Sequence, residues 1–235
     1  MGLTADVTCV WPLECSLGEG PLWWNGALWF TDIKQKMLHR FDPSGEARRS
    51  WPAPSEVGFL GPLANGHFIA GTKAGLQDFD PATGAFTLTQ VVEPDLPGNR
   101  LNDGAVDADG RLWFGSMDDG EAQPSGKLFC LDRGKLSVMD TGYVITNGPA
   151  FSPDGRLLYH TDTLARRIYV FDLDEAGMPA NKRLFVEIEE GAGYPDGPVV
   201  DQDGYVWTGL FGGWGVRRYS PQGRLDHPWL FRSPM

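Results

Sequence analysis

Positive charge is scarce in this sequence and gathers nowhere: Lys and Arg number 20 against 31 Asp and Glu, a formal net charge of −11. A protein gains affinity for nucleic acid by neutralising phosphates with clustered cations, so no nucleic-acid partner is expected. No apolar run approaches the length that spans a bilayer, and residues 1–11 lack a positive segment followed by an apolar one. No membrane partner is expected, and the expected location is the cytoplasm. The three cysteines, Cys9, Cys15 and Cys130, are too scattered for a disulfide framework or a CxxC zinc site. The four histidines, His39, His67, His160 and His227, show no paired ligand spacing and read as structural or surface residues. Also missing are G-x-S-x-G and a G-x-G-x-x-G after a strand, which counts against a Ser-His-Asp hydrolase and a nicotinamide enzyme.

Turn formers and large apolar residues are plentiful instead. Glycine (31) and proline (18) are spread along all 235 residues, 41% of the chain is hydrophobic and nine residues are tryptophan. Such a chain buries a substantial core and suits many short strands joined by turns, so the expected class is all-β.

A repeat organises those strands. A glycine turn followed by an apolar strand occurs in NGALWFTD, NGHFIAGT, DGRLWFGS, DGRLLYHTD and DGYVWTGL, with turn glycines at Gly26, Gly66, Gly110, Gly155 and Gly204. These lie 40 to 49 residues apart, which is the period of a propeller blade. Each unit carries a second strand closed by a turn, as in HRFDPSG, QDFDPATG and YVFDLDEAG, so the units read as antiparallel meanders with no sustained helical period. A β-propeller sets four such strands per blade around a central channel. Thr8 to Trp11 reads as a lone extra strand, and the closing DHPWLFRSPM is too short for another four strands.

Counting back from each turn glycine locates the start of the strand expected to face the channel. Glu19 stands seven residues before Gly26, and Asn102, Asn147 and Asp196 stand eight before Gly110, Gly155 and Gly204; Gly58 takes the place in the second unit. Three share one local sequence, Glu19-Gly20-Pro21, Asn147-Gly148-Pro149 and Asp196-Gly197-Pro198, and the other is Asn102-Asp103-Gly104. Turn formation alone accounts for any one Asp or Asn, but not for Glu at the matching position of the first unit. Taken together they read as oxygen donors that converge on one hard cation, Ca²⁺, Mg²⁺ or Mn²⁺, with Fe²⁺ or Zn²⁺ also open.

The stretches LGEGPLWWNGALWFTDI, NRLNDGAVDADGRLWFGSMDDG, ITNGPAFSPDGRLLYHTD and YPDGPVVDQDGYVWTGLFGGWGVRRYSPQGRL resemble the gluconolactonase, senescence-marker-protein and regucalcin family of sugar lactonases, with xylonolactonase nearest in look. The resemblance implies a six-bladed propeller with one divalent cation held by Glu19, Asn147 and Asp196. It also implies substrate contacts from Arg100 and Asn102, and from Glu121 in the stretch after G-S-M, where Asp118 and Asp119 are close alternatives. Asn102 is left open between ligand and substrate contact. The family continues past the fifth unit with a Pro- and Asn-rich segment, a Gly-Gly-Pro-Asp turn and a strand ending in Thr. None of these occurs in this sequence, so the expectation is a single propeller domain over residues 1–235 that lacks most of its last blade.

The activity so implied is metal-dependent hydrolysis of a sugar lactone to the open aldonic acid. Asp196 is placed to accept a proton from water, and Arg100, Asn102 and Glu121 to orient sugar hydroxyls. Two other readings stay open: a different ester specificity on the same site, and a non-catalytic propeller that binds calcium or protein partners. Phe211 and Trp214 read either as pocket walls or as packing between blades.

Overall fold

The computed structural model describes residues 3–4 and 8–230. It contains five antiparallel meanders, each with its four main strands in sequence order. Blade 1 comprises Gly18–Trp24, Ala27–Asp32, Met37–Asp42 and Ala47–Pro52, and blade 2 Val57–Pro62, Phe68–Thr72, Gly75–Asp80 and Ala85–Gln90. Blade 3 comprises Asn99–Val106, Leu112–Asp118, Gly126–Asp132 and Lys135–Tyr143, and blade 4 Thr146–Phe151, Leu157–Asp162, Arg167–Leu173 and Pro179–Glu187. Blade 5 comprises Tyr194–Val200, Val206–Phe211, Gly215–Tyr219 and Leu225–Leu230. The all-β, propeller-type class expected from the repeat is therefore observed. No helix among the described residues is long and apolar enough to cross a membrane.

Two expectations need correction. The segment LDHPWL supplies the fourth strand of blade 5, Leu225–Leu230, and the described residues form five blades, not six. Thr8–Trp11 is not a strand, because it has no ladder partner and runs into Pro12. The added strand is Leu3–Thr4, which pairs in parallel with the last strand through Leu3↔Trp229 and Thr4↔Leu230 and so covers that sheet edge. Residues 231–235 of the C-terminal tail lie outside the described residues.

The chain divides into two compact units: Leu13–Tyr143, which holds blades 1 to 3, and Met1–Pro12 with Val144–Met235, which holds blades 4 and 5. In the first, the facing sides of blades 1 and 2 bury Trp29, Leu38, Trp51, Leu60, Phe68 and Phe79. Trp29 stacks on Trp51 with ring centroids 5.4 Å apart and lies 4.5 Å from Phe68, contacts worth about 0.5–1.5 kcal/mol each beyond their area. Blades 2 and 3 close over Phe59, Leu76, Leu101, Phe114 and Phe129. In the second unit, blades 4 and 5 enclose Tyr159, Ile168, Val170, Val206, Leu210 and Tyr219.

Carboxylates fix the turns between first and second strands. Asp107 Oδ1 accepts from the Asp109 and Arg111 amides at 3.0 and 2.9 Å, and Oδ2 from Arg111 Nε at 2.6 Å and Trp113 Nε1 at 2.8 Å. Asp201 repeats the device six residues before Trp207: it accepts from the Asp203 and Tyr205 amides, from Trp207 Nε1 at 2.9 Å and from Arg218 Nε and Nη2 at 3.0 and 2.8 Å. Partial burial pushes the Asp201 carboxyl up, but the bonds from Trp207, Arg218 and the Tyr205 backbone outweigh it and hold the group at about 2. A folded-state value below the usual carboxylate range, about 3.9, stabilises the fold fully above that range, and the contribution is lost as pH falls toward 2. Asp201→Asn is thus expected to lower the melting temperature by a few degrees at pH 7. Its deficit against the unmodified protein should shrink between pH 4 and pH 2 in thermal unfolding followed by circular dichroism; a deficit constant across that range contradicts the assignment.

Candidate functional site

Each of the four repeat-equivalent donor positions predicted from the sequence coincides with a break in register between first and second strands. The ladder slips between Glu19↔Thr31 and Leu22↔Trp29 in blade 1, and between Leu101↔Ser116 and Gly104↔Phe114 in blade 3. It slips between Asn147↔Thr161 and Ala150↔Tyr159 in blade 4, and between Pro195↔Leu210 and Pro198↔Thr208 in blade 5. An extra residue in one strand forms a bulge that re-aims the local side chain, so Glu19, Asn102, Asn147 and Asp196 share one backbone irregularity as well as one place in the repeat. Blade 2 slips at the same point, between Val57↔Thr72 and Phe59↔Gly71, with Gly58 inside the bulge. A side chain there has no room: a Cβ on Gly58 would sit 2.0 Å from the Asn102 carbonyl oxygen and 2.7 Å from that of Leu101. Close packing of the blade 2 and blade 3 first strands therefore excludes a donor from the second unit.

Blades 1 to 3 bring together one half of the predicted set. Arg100 is 5% exposed; its Nε donates to Asp119 Oδ1 at 3.0 Å and its Nη1 to Asn102 Oδ1 at 2.5 Å. Burial pulls the Arg100 guanidinium pKa down, while the negative charges of Asp119, Glu19 and Glu121 oppose the shift. Arg100 stays protonated, and Glu19 and Glu121 lie within its electrostatic reach. Glu19 is half-buried, and its backbone carbonyl accepts from Thr31 Oγ1 at 3.3 Å.

The acidic stretch after Met117 divides its tasks. Asp118 holds the turn, its carboxylate accepting from the amides of Gly120, Ala122 and Gln123 at 3.2, 3.0 and 2.9 Å. Asp119 pairs with Arg100 and also with Lys73 Nζ at 2.8 Å and Lys34 Nζ at 3.6 Å. Partial burial raises the Asp119 carboxyl, but these cations win and hold it below its ordinary value. Glu121 is exposed, at φ +55°. Asp119, named from the sequence only as an alternative to Glu121, is the acidic residue that meets Arg100. Its signal is positional: Lys34, Lys73 and Asp119 all follow the second strand of their own blades.

Blades 4 and 5 place the other half. Asn147 is buried, and its Nδ2 donates to Thr163 Oγ1 at 2.8 Å. Thr163 Oγ1 in turn donates to the Pro195 carbonyl at 3.0 Å, next to Asp196. The Asp196 carbonyl accepts from Thr161 Oγ1 at 3.2 Å and Thr208 Oγ1 at 3.0 Å. The half-buried Asp196 carboxylate accepts from the Gly197 amide at 2.9 Å, no Lys or Arg among the described residues pairs with it, and burial raises its pKa. A desolvated carboxylate without a cationic side chain, next to an oriented amide, fits the donor chemistry of a hard divalent cation. Among the described residues no three His, Cys, Asp or Glu side chains are grouped to hold a metal; the predicted set has two carboxylates and takes its remaining donor from an amide. Phe211 and Trp214 are 63% and 55% exposed and do not pack between blades.

These features define a protein of the β-propeller class with polar side chains at repeat-equivalent bulges in each of its two units. Residues 17–234 match the SMP-30/Gluconolactonase/LRE-like region, and the chain belongs to that family. It is 36% identical to an L-arabinolactonase of Azospirillum brasilense over 88% of this chain and 71% of that one. It is 34% identical to a 6-deoxy-6-sulfogluconolactonase of Pseudomonas putida, over 95% and 78%. The crystal structure of a calcium-binding protein, regucalcin, from Agrobacterium tumefaciens superposes with a TM-score of 0.87 at 30% identity, covering 92% of this chain and 74% of that one.

Removing Asp119 leaves the buried Arg100 charge without its closest carboxylate. Asp119→Ala is expected to destabilise the protein by about 3 kcal/mol, the low end for breaking a buried pair. Adding Arg100→Met should recover a good part of that loss in urea unfolding. Simple additivity of the two changes contradicts the pairing.

Proposed function

We propose that this protein is a lactonase, a gluconolactonase-like enzyme that hydrolyses a sugar lactone to its open-chain aldonic acid with the help of one divalent cation. The observation that carries this reading is the occupancy of the bulges: four of five repeat-equivalent positions present Glu19, Asn102, Asn147 and Asp196, and the fifth is closed to any side chain. The names of the arabinolactonase and sulfogluconolactonase relatives support the substrate class. Glu19, Asn147 and Asp196 are the proposed ligands, within residues 1–235 taken as one propeller domain. Ca²⁺, Zn²⁺, Fe²⁺, Mn²⁺ and Mg²⁺ are the candidate ions, and the reaction is assigned to the cytoplasm.

A cation held by these residues supplies positive charge for the lactone carbonyl oxygen and acidifies a water. Asp196, whose carboxylate is fixed by the Gly197 amide, takes the proton from the attacking water. The water oxygen bonds to the carbonyl carbon, the ring C–O bond breaks, and the proton passes to the departing ring oxygen. Arg100 donates to the sugar; Asn102, fixed by Arg100, and the exposed Glu121 orient its hydroxyls and so raise effective concentration.

A second reading, calcium binding without catalysis, draws on the likeness to the calcium-binding regucalcin structure; turnover separates the two. The test is a metal screen against a panel of sugar lactones, following acid release with a pH indicator. Activity should require a divalent cation, and Glu19→Gln, Asn147→Ala and Asp196→Asn should each reduce kcat/KM by more than about a hundredfold, beyond the range of outer-shell partners. Cation binding with no turnover on any lactone favours the binding protein. Undiminished hydrolysis by all three variants removes the site assignment.

A further inference from the structure

We propose that Thr163 is a positioning residue that sets which face of the Asn147 amide meets the cation and ties that amide to the Asp196 strand; the inference rests on the ligand assignment above. A threonine hydroxyl has a single proton. The Pro195 carbonyl, 3.0 Å away, can only accept, so the Thr163 proton is committed there. What remains on Oγ1 is acceptor capacity, and the group of Asn147 facing it at 2.8 Å has to be the amide nitrogen. The Asn147 amide oxygen is thereby turned away from Thr163, as a cation ligand requires. An amide flipped by 180° would offer N–H groups to the cation.

Thr163 is itself held firmly. It is 6% exposed, its backbone amide donates to the Ile145 carbonyl at 3.2 Å, and its carbonyl accepts from the Arg166 amide at 3.0 Å. Thr161 and Thr208 reach the Asp196 carbonyl, Thr208 also lying 3.0 Å from that of Gly209, whereas Thr163 bonds to both the Asn147 side chain and the strand that carries Asp196. Outer-shell bonds of this kind orient the donors that touch a metal, and their loss costs about 10–100-fold in affinity.

The test compares the full chain with Thr163→Val, which keeps the shape and removes both bonds, with Thr163→Ala as a smaller second variant, and with Thr163→Ser, which keeps the hydroxyl. Ca²⁺ and Mn²⁺ titrations by calorimetry are expected to show Kd weakened about 10–100-fold in the Val and Ala variants and restored to within about threefold by Ser. In the metal-free protein, the Asn147 side-chain amide protons, bonded to Thr163, should exchange with solvent faster in the Val variant and at the original rate in the Ser variant. Unchanged cation affinity in the Val and Ala variants overturns the proposal, as does unchanged exchange of the Asn147 amide. If Asn147→Ala itself leaves cation affinity intact, the ligand assignment falls instead, and the exchange measurement still decides whether Thr163 orients Asn147.

Discussion

The register slip near the start of every first strand is the constraint from which the proposed site follows. A regular antiparallel ladder would send alternate side chains to opposite faces, and a donor at the strand start would share the fate of its neighbours in the blade core. With two residues opposing one, the chain keeps its apolar pattern on both sides of the bulge and frees a single position to point elsewhere. Leu22 and Ala150 still face their blade cores, one turn of the ladder beyond Glu19 and Asn147. The Gly-Pro pairs that follow Glu19, Asn147 and Asp196 serve the same end, since a side chain at Gly148 would strike Pro198, 2.8 Å away. Within each unit, tight contact between first strands and polar side chains at their starts are two consequences of one backbone arrangement.

Much of this was legible in the amino-acid order, because a repeat turns distant residues into equivalents. The turn glycines, the blade class and the polar residue at four of the five bulges could be read off by counting, and Gly58 stood out as the exception. Its reason could not be read, since it depends on the approach of the Asn102 carbonyl from the next blade. The division of labour among Asp118, Asp119 and Glu121 was equally hidden: three acidic residues in a short turn look alike until one accepts backbone amides, one meets Arg100 and one faces solvent. Thr163 passed unnoticed because threonine at a strand end is ordinary; its significance lies in two hydrogen bonds to residues 16 and 32 positions away. The added strand was misplaced, at Thr8–Trp11, for a related reason. Pairing of Leu3–Thr4 with Trp229–Leu230 joins the two ends of the sequence, and no local pattern signals it.

Electrostatics in the two units follow different logics. Around Arg100 the charges are paired, with Asp119 shared among one guanidinium and two ammonium groups, and such charge-assisted hydrogen bonds strengthen in a desolvated setting. Around Asp196 the carboxylate is desolvated and lacks a cationic side chain among the described residues, while three threonine hydroxyls fix its backbone and that of its neighbour.

The claim that repeat-equivalent bulges serve one cation is tested most directly by anomalous diffraction from crystals grown with Mn²⁺. The account predicts a single strong peak within coordination distance of Glu19, Asn147 and Asp196 together, with Asn147 presenting its amide oxygen. A peak bound by only one of these residues, or by residues outside the bulges, would contradict it.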